Sequence, residues 1–126
     1  MYSLFAVAAG GALGAVARHL LAGQIMRLTG HGFPYGTLSV NVLGGLLMGL
    51  LIGLFALHWN PGQELRLFLT VGLLGGFTTF STFSMETILL LERGAWPSAG
   101  LYVLVSVSLA IAGFAMGQAL VRLLSG

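Results

Sequence analysis

Gly75 and Gly76 are followed by Thr78, Thr79, Ser81, Thr82 and Ser84, with Phe80 and Phe83 set among the hydroxyls. Two adjacent glycines cost a helix about 2 kcal/mol of propensity, and Ser and Thr compete for its backbone hydrogen bonds. The pattern predicts a helix that breaks here. Carbonyls freed between Gly75 and Thr78 could coordinate a cation, and Thr79 could cap a second half-helix whose positive N-terminal end favours an anion. The competing arrangement is an intact helix with glycine at a close crossing. Phe80 and Phe83 lie three apart on one face, where they could pack or could turn their weakly positive ring edges toward a small anion. The hydroxyls of Ser81, Thr82 and Ser84 alternate around them. Asn41, one turn after Thr37 and close to Ser39, is an amide deep in an apolar run. It could bond across helices or donate to a permeating ligand. Tyr102 and Ser106, four apart, could extend a polar track from which Ser108 turns away.

Two charged side chains belong to the same region. Arg18 could snorkel to an interface or offer a cation to anions entering a vestibule. Glu86, two turns beyond Thr79, could pair with an arginine or sit in a vestibule. Catalysis finds no foothold. The chain has no Asp, no pair of carboxylates, no Ser-His-acid grouping and no phosphate-binding loop. Cys is 0, which excludes thiolate chemistry and disulfides, and His19, His31 and His58 lack metal-ligand spacing. The sequence predicts no enzyme.

The elements that must carry these residues follow from composition. Of 126 residues, 57% are hydrophobic and only 6% charged, against about 25% charged in a soluble domain. Lipid is the expected solvent. A crossing takes about 20 helical residues, so four need about 80 and leave about 46 for ends and turns. The expected architecture is an all-α membrane protein with a single domain over 1–126 and helices at about 4–28, 35–57, 65–91 and 98–124. The Thr29 to Pro34, His58 to Glu64 and Glu92 to Pro97 stretches punctuate the chain, Trp59 and Trp96 mark interfaces, and Ser98 can cap the last helix. The first residues, Met1 to Leu4, carry no basic group, and no cleaved leader is expected. Gly10 and Gly14, then Gly45, Gly49 and Gly53, then Gly113 and Gly117, repeat at four-residue spacing, which lets helix backbones approach in lipid.

The net charge of +2 is spread along the chain and does not suit nucleic acid. With the first and second helices joined on one side, that side holds Arg27 and Arg93 and the other holds Arg66 and Arg122. Orientation follows the Lys/Arg asymmetry of short loops, and here there is none. Insertion in both orientations would permit an antiparallel dimer with its axis in the membrane plane.

Three motifs resemble the Fluc family of fluoride channels: Gly11 to Arg18, Gly36 to Gly44, and Gly75-Gly76-Phe77-Thr78-Thr79-Phe80-Ser81-Thr82-Phe83. The likeness extends over nearly the whole chain. It implies a dual-topology antiparallel homodimer in a bacterial inner membrane, with two pores that passively export fluoride. By this resemblance Phe80, Phe83, Ser81 and Thr82 flank the anion path, with Asn41 as a donor and Thr37, Tyr102 and Ser106 in its polar track. Arg18 belongs to the vestibule. The carbonyls of Gly75 and Thr78 from both subunits would hold a structural sodium ion. One turn after Ser106 the track meets Ala110, so it is expected to be short. A small dual-topology, proton-coupled multidrug exporter has a similar outline, but it needs an acid in the first helix, where this chain has Arg18.

Overall fold

Many of the glycines line helix contacts, while most of the large aliphatic side chains face outward. The computed structural model describes residues 2–126. The elements are α1 (Tyr2–Thr29), α2 (Tyr35–Leu57), a third span that runs Gln63–Glu92 in pieces, and α6 (Trp96–Ser125). The third span comprises α3 (Gln63–Leu67), a π-helical stretch (Phe68–Leu74), α4 (Gly75–Phe77) and α5 (Phe80–Glu92). All four spans are long and apolar enough to cross a membrane. No strand occurs among the described residues.

The glycine spacing explains which helices pair. On α2, a Cβ at Gly45 would lie 2.6 Å from the Ala110 carbonyl of α6, and Gly49 faces the Phe114 carbonyl. Gly117 of α6 meets Leu46 and Leu50 in return. Only hydrogen fits between such backbones, and dispersion between close helices is what holds them in lipid. On α1, Gly10 and Gly14 press against the backbone from Phe68 to Phe77, while Gly76 would place a Cβ 2.7 Å from the Gly11 carbonyl. The first half of the third span is thus held on α1. The second half, α5, rests on α6 through Phe83, Leu90, Ala99 and Tyr102. A helix whose halves answer to different partners can open between them.

The turns follow their residues. Gly30 and Gly94 take φ of 82° and 79° just past α1 and α5, the left-handed conformation that ends helices most cheaply at glycine. Helix α6 starts at Trp96, with Ala95 at its N-cap and no side-chain bond there. Ser98 is therefore not the cap expected above. Pro97 can stand in the first turn because its missing N–H has no helical partner there, and this carries the helix start ahead of the serine.

At one end of the bundle the His58 imidazole is hydrogen-bonded to the Ser125 hydroxyl. There Arg66 lies 4.4 Å from the centre of the Phe55 ring and donates to Asn60. At the other end Arg93 donates to the Gly32 carbonyl at 2.9 Å and Arg27 to the Gln24 side chain. The flanks between carry exposed Leu4, Leu13, Leu20, Leu104 and Ile111, the apolar surface that a bilayer core solvates.

Candidate functional site

Thr78 and Thr79 are extended, with φ,ψ of −88°,158° and −151°,121°. The chain leaves α4 and re-enters a helix at Phe80 after these two residues. What holds the opening is Asn41 of α2. Its Nδ2 donates to the Thr79 carbonyl at 3.0 Å, and its Oδ1 accepts from the Thr79 N–H at 2.8 Å. An unpartnered backbone group at membrane depth costs several kcal/mol, and this two-point clamp supplies both missing partners. An asparagine amide carries two N–H donors, so one remains beyond the clamp. Thr79 then begins α5, its Oγ1 accepting from the Thr82 N–H at 3.1 Å. The same hydroxyl bonds to Ser81 Oγ at 3.3 Å. Gly44, one turn beyond Asn41 on α2, leaves room for the Thr78 methyl.

The break redirects specific donors. In a continuous helix the Thr79 N–H would serve the Gly75 carbonyl, and the Thr82 N–H that of Thr78. Both amides are diverted, the first to Asn41 and the second to the Thr79 hydroxyl. The carbonyls of Gly75 and Thr78 are released from helical pairing. These are hard, uncharged oxygen donors of the kind that suit an alkali cation.

The expected site residues fall into two groups. Phe83, Tyr102, Thr37 and Ser106 are buried. Phe83 stacks at 5.1 Å on Tyr102, which meets Phe33 edge-on at 5.5 Å. The Tyr102 hydroxyl donates to Glu86 Oε1 at 3.1 Å, so the partner of Glu86 is a phenol and no arginine. The Ser106 hydroxyl, one turn along α6, has no hydrogen-bond partner among the described residues. Phe80 stands apart. Its ring lies 5.5 Å from that of Phe83, yet Phe80 is 78% exposed, and Ser81 and Gly75 are exposed as well. The two rings are neighbours, one in the core and one on the surface.

Two cavities meet at the break. One of about 500 Å³ is lined by Arg18, His19, Arg27, His31, Thr37, Thr79, Thr82 and Glu86. The other, about 310 Å³, is bounded by Asn41, Thr78, Thr79, Phe80, Ala110 and Phe114 among others. Thr79 belongs to both. The first is basic, with two arginines against one glutamate; the second is almost wholly apolar, and Ala110, its carbonyl against Gly45, forms part of that wall. A basic antechamber opening onto weak neutral donors suits a small anion, which needs its water replaced without being held too tightly to leave.

Sequence reasoning missed three features here. The Tyr102 to Glu86 bond joins residues whose pairing has no local signature, and Arg18 Nε donates to the Gly76 carbonyl at 3.2 Å across 58 positions. The π-helical stretch had no signal in residue type. Its width is seen where the Gly75 N–H reaches the Thr70 carbonyl, five residues back.

Four membrane-length helices and a polar break at the junction of two cavities define a small integral membrane protein built to pass solutes. The chain belongs to the family described as CrcB-like protein, Camphor Resistance (CrcB), which it matches over residues 5–118. It is 50% identical over 121 residues to the fluoride-specific ion channel FluC 1 of Nitrobacter hamburgensis, covering 96% of each chain. The fluoride-specific ion channel FluC of Sphingopyxis alaskensis is 55% identical over 122 residues, with 97% of each covered. That of Geobacter sulfurreducens is 54% identical over 113 residues, covering 90% of this chain and 91% of its own.

Proposed function

We propose that this protein is a fluoride channel, a passive pore rather than an enzyme, that lets fluoride leave the cell across the bacterial inner membrane. The observation that carries the reading is the helix opened at Thr78 and Thr79 and clamped by Asn41 between two cavities. Fluoride collects over Arg18 in the basic cavity and passes Thr79 and Thr82. It then moves along a path furnished by the free Asn41 N–H, the edges of Phe80 and Phe83, and the hydroxyls of Thr37, Ser81 and Ser106, with Tyr102, its hydroxyl held by Glu86, in the wall of that track. None of these carries full positive charge, so none binds the ion too tightly for exit. The unpartnered Ser106 hydroxyl is a donor in want of an acceptor, which supports its place on that path.

The working unit is an antiparallel homodimer with two pores. The non-helical Thr78 and Thr79 are half-buried, and Gly75, Phe80 and Ser81 around them are exposed in the single chain, so this face would leave the opened backbone close to lipid, where it is costly. A second copy laid across this face covers them and brings two breaks together. The carbonyls of Gly75 and Thr78 of both chains would hold a structural sodium ion. Their release from helical pairing makes them fit for it. When bound, the ion supplies positive charge near both paths and ties the subunits. The exporter alternative lacks support, because α1 carries Arg18 and no acid.

The test is efflux from liposomes loaded with fluoride or chloride and read with ion-selective electrodes. Rapid fluoride release with chloride retained is the expected result, and equal release of both anions, or of neither, contradicts the reading.

A further inference from the structure

The Arg18 side chain reaches the break from α1 and donates from Nε to the Gly76 carbonyl at 3.2 Å. That carbonyl lies between the two released at Gly75 and Thr78. In an unbroken helix it would accept from the Phe80 amide, but Phe80 begins the next helix, beyond two extended residues. Arg18 takes that place. A guanidinium holds five N–H groups in a rigid fork, so Nε uses one and four remain on the Nη edge. Arg18 also lines the basic cavity of about 500 Å³, together with His19, Arg27 and Glu86.

We infer that Arg18 is a positioning residue with two separable tasks: its Nε occupies the Gly76 carbonyl and so decides which oxygens of the broken helix stay free for the cation, while its Nη edge keeps positive charge facing the cavity. The inference rests on the sodium reading above. Without Arg18 the Gly76 oxygen has no donor, the released carbonyls lose their fixed neighbour, and the cation site becomes disordered even though a repelling charge has gone. The two tasks separate by bond count. Glutamine places Nε2 as many bonds from Cα as arginine places Nε, so R18Q keeps the donor and drops the charge. R18K keeps the charge with its donor one bond farther out, and R18M drops both.

Sodium chloride is titrated into the purified full-length protein in detergent against a choline chloride background, with thermal unfolding as the readout. Fluoride efflux from liposomes at low ionic strength is measured alongside. The half-saturating sodium concentration of R18Q is expected within about twofold of wild type, and that of R18M higher by about tenfold or more, the equivalent of one lost hydrogen bond. Fluoride efflux is slowed in all three variants but in the other order, R18K keeping more of it than R18Q or R18M. Two different orders for one residue are what a merely structural role does not produce. If R18M elutes as unfolded material, the comparison of R18Q with R18K decides, the donor reading requiring R18Q to keep the tighter sodium response. The inference is overturned if R18M titrates like wild type, or if R18Q weakens while R18K does not. A wild-type protein without any sodium response overturns the cation site itself, a failure visible before any variant is compared.

Discussion

Asn41 spends its amide on a backbone, and this gives its substitution a definite consequence. In Asn41→Asp an oxygen replaces the nitrogen that stands 3.0 Å from the Thr79 carbonyl, so two acceptors face each other. The expected loss is about 1–3 kcal/mol, more if the carboxyl ionises, seen as a lower melting temperature together with loss of fluoride flux. Phe80 and Phe83 separate cleanly. Phe80→Ile touches a ring exposed in the single chain and should slow fluoride efflux by about tenfold or more, about 1.4 kcal/mol of barrier, with a smaller fall in melting temperature than Phe83→Ile. Phe83→Ile removes the ring packed on Tyr102 and should lower both flux and stability; equal melting of the two variants contradicts this division. The residue types were legible in the sequence, since an amide and hydroxyls inside apolar runs have few uses. Their partners were not. Asn41 meets Thr79 38 positions away, and nothing local to either residue names the other.

At the scale of elements, the third span is the informative one. Gly75 and Gly76 announced the break and Thr79 its cap, because both are local backbone effects. The π-helical stretch before them and the start of α6 at Trp96 escaped notice, since π turns have no residue signature and Pro97 outranked Ser98 in setting the first turn. Thr79→Val keeps the shape and removes the oxygen that accepts the Thr82 amide. It should cost about 1 kcal/mol, read as a fall in melting temperature, and an unchanged melt contradicts the capping role. The glycine ladders give a paired prediction. Gly45→Ala places a methyl 2.6 Å from the Ala110 carbonyl and should destabilise by about 1–3 kcal/mol. Gly100, also in a helix, has nothing within 4 Å, and its alanine variant should be neutral or more stable by about 0.5–1 kcal/mol. Melting curves of the two variants test whether spacing or mere helix propensity placed the glycines.

The whole molecule carries two arginines at each end, Arg66 and Arg122 against Arg27 and Arg93, with Arg18 between them at the break. That balance was readable from charge counting alone, whereas the face left uncovered at Gly75, Phe80 and Ser81 needed the folded chain. Together they argue for copies inserted in both directions. Adding two lysines to the His58 to Gln63 turn should force one orientation, by the positive-inside bias, and abolish active dimers. Coexpression with a copy biased at the opposite end should restore them, and full activity of the singly biased protein contradicts the antiparallel arrangement. The opened helix is proposed above as a passive, fluoride-selective path. Its most direct test is the reversal potential in a planar bilayer, with fluoride and chloride gradients opposed and pH equal on both sides. The account predicts reversal at the fluoride equilibrium potential, about 59 mV for each tenfold gradient. Reversal at the chloride potential, or a fluoride flux that follows an imposed proton gradient, contradicts it.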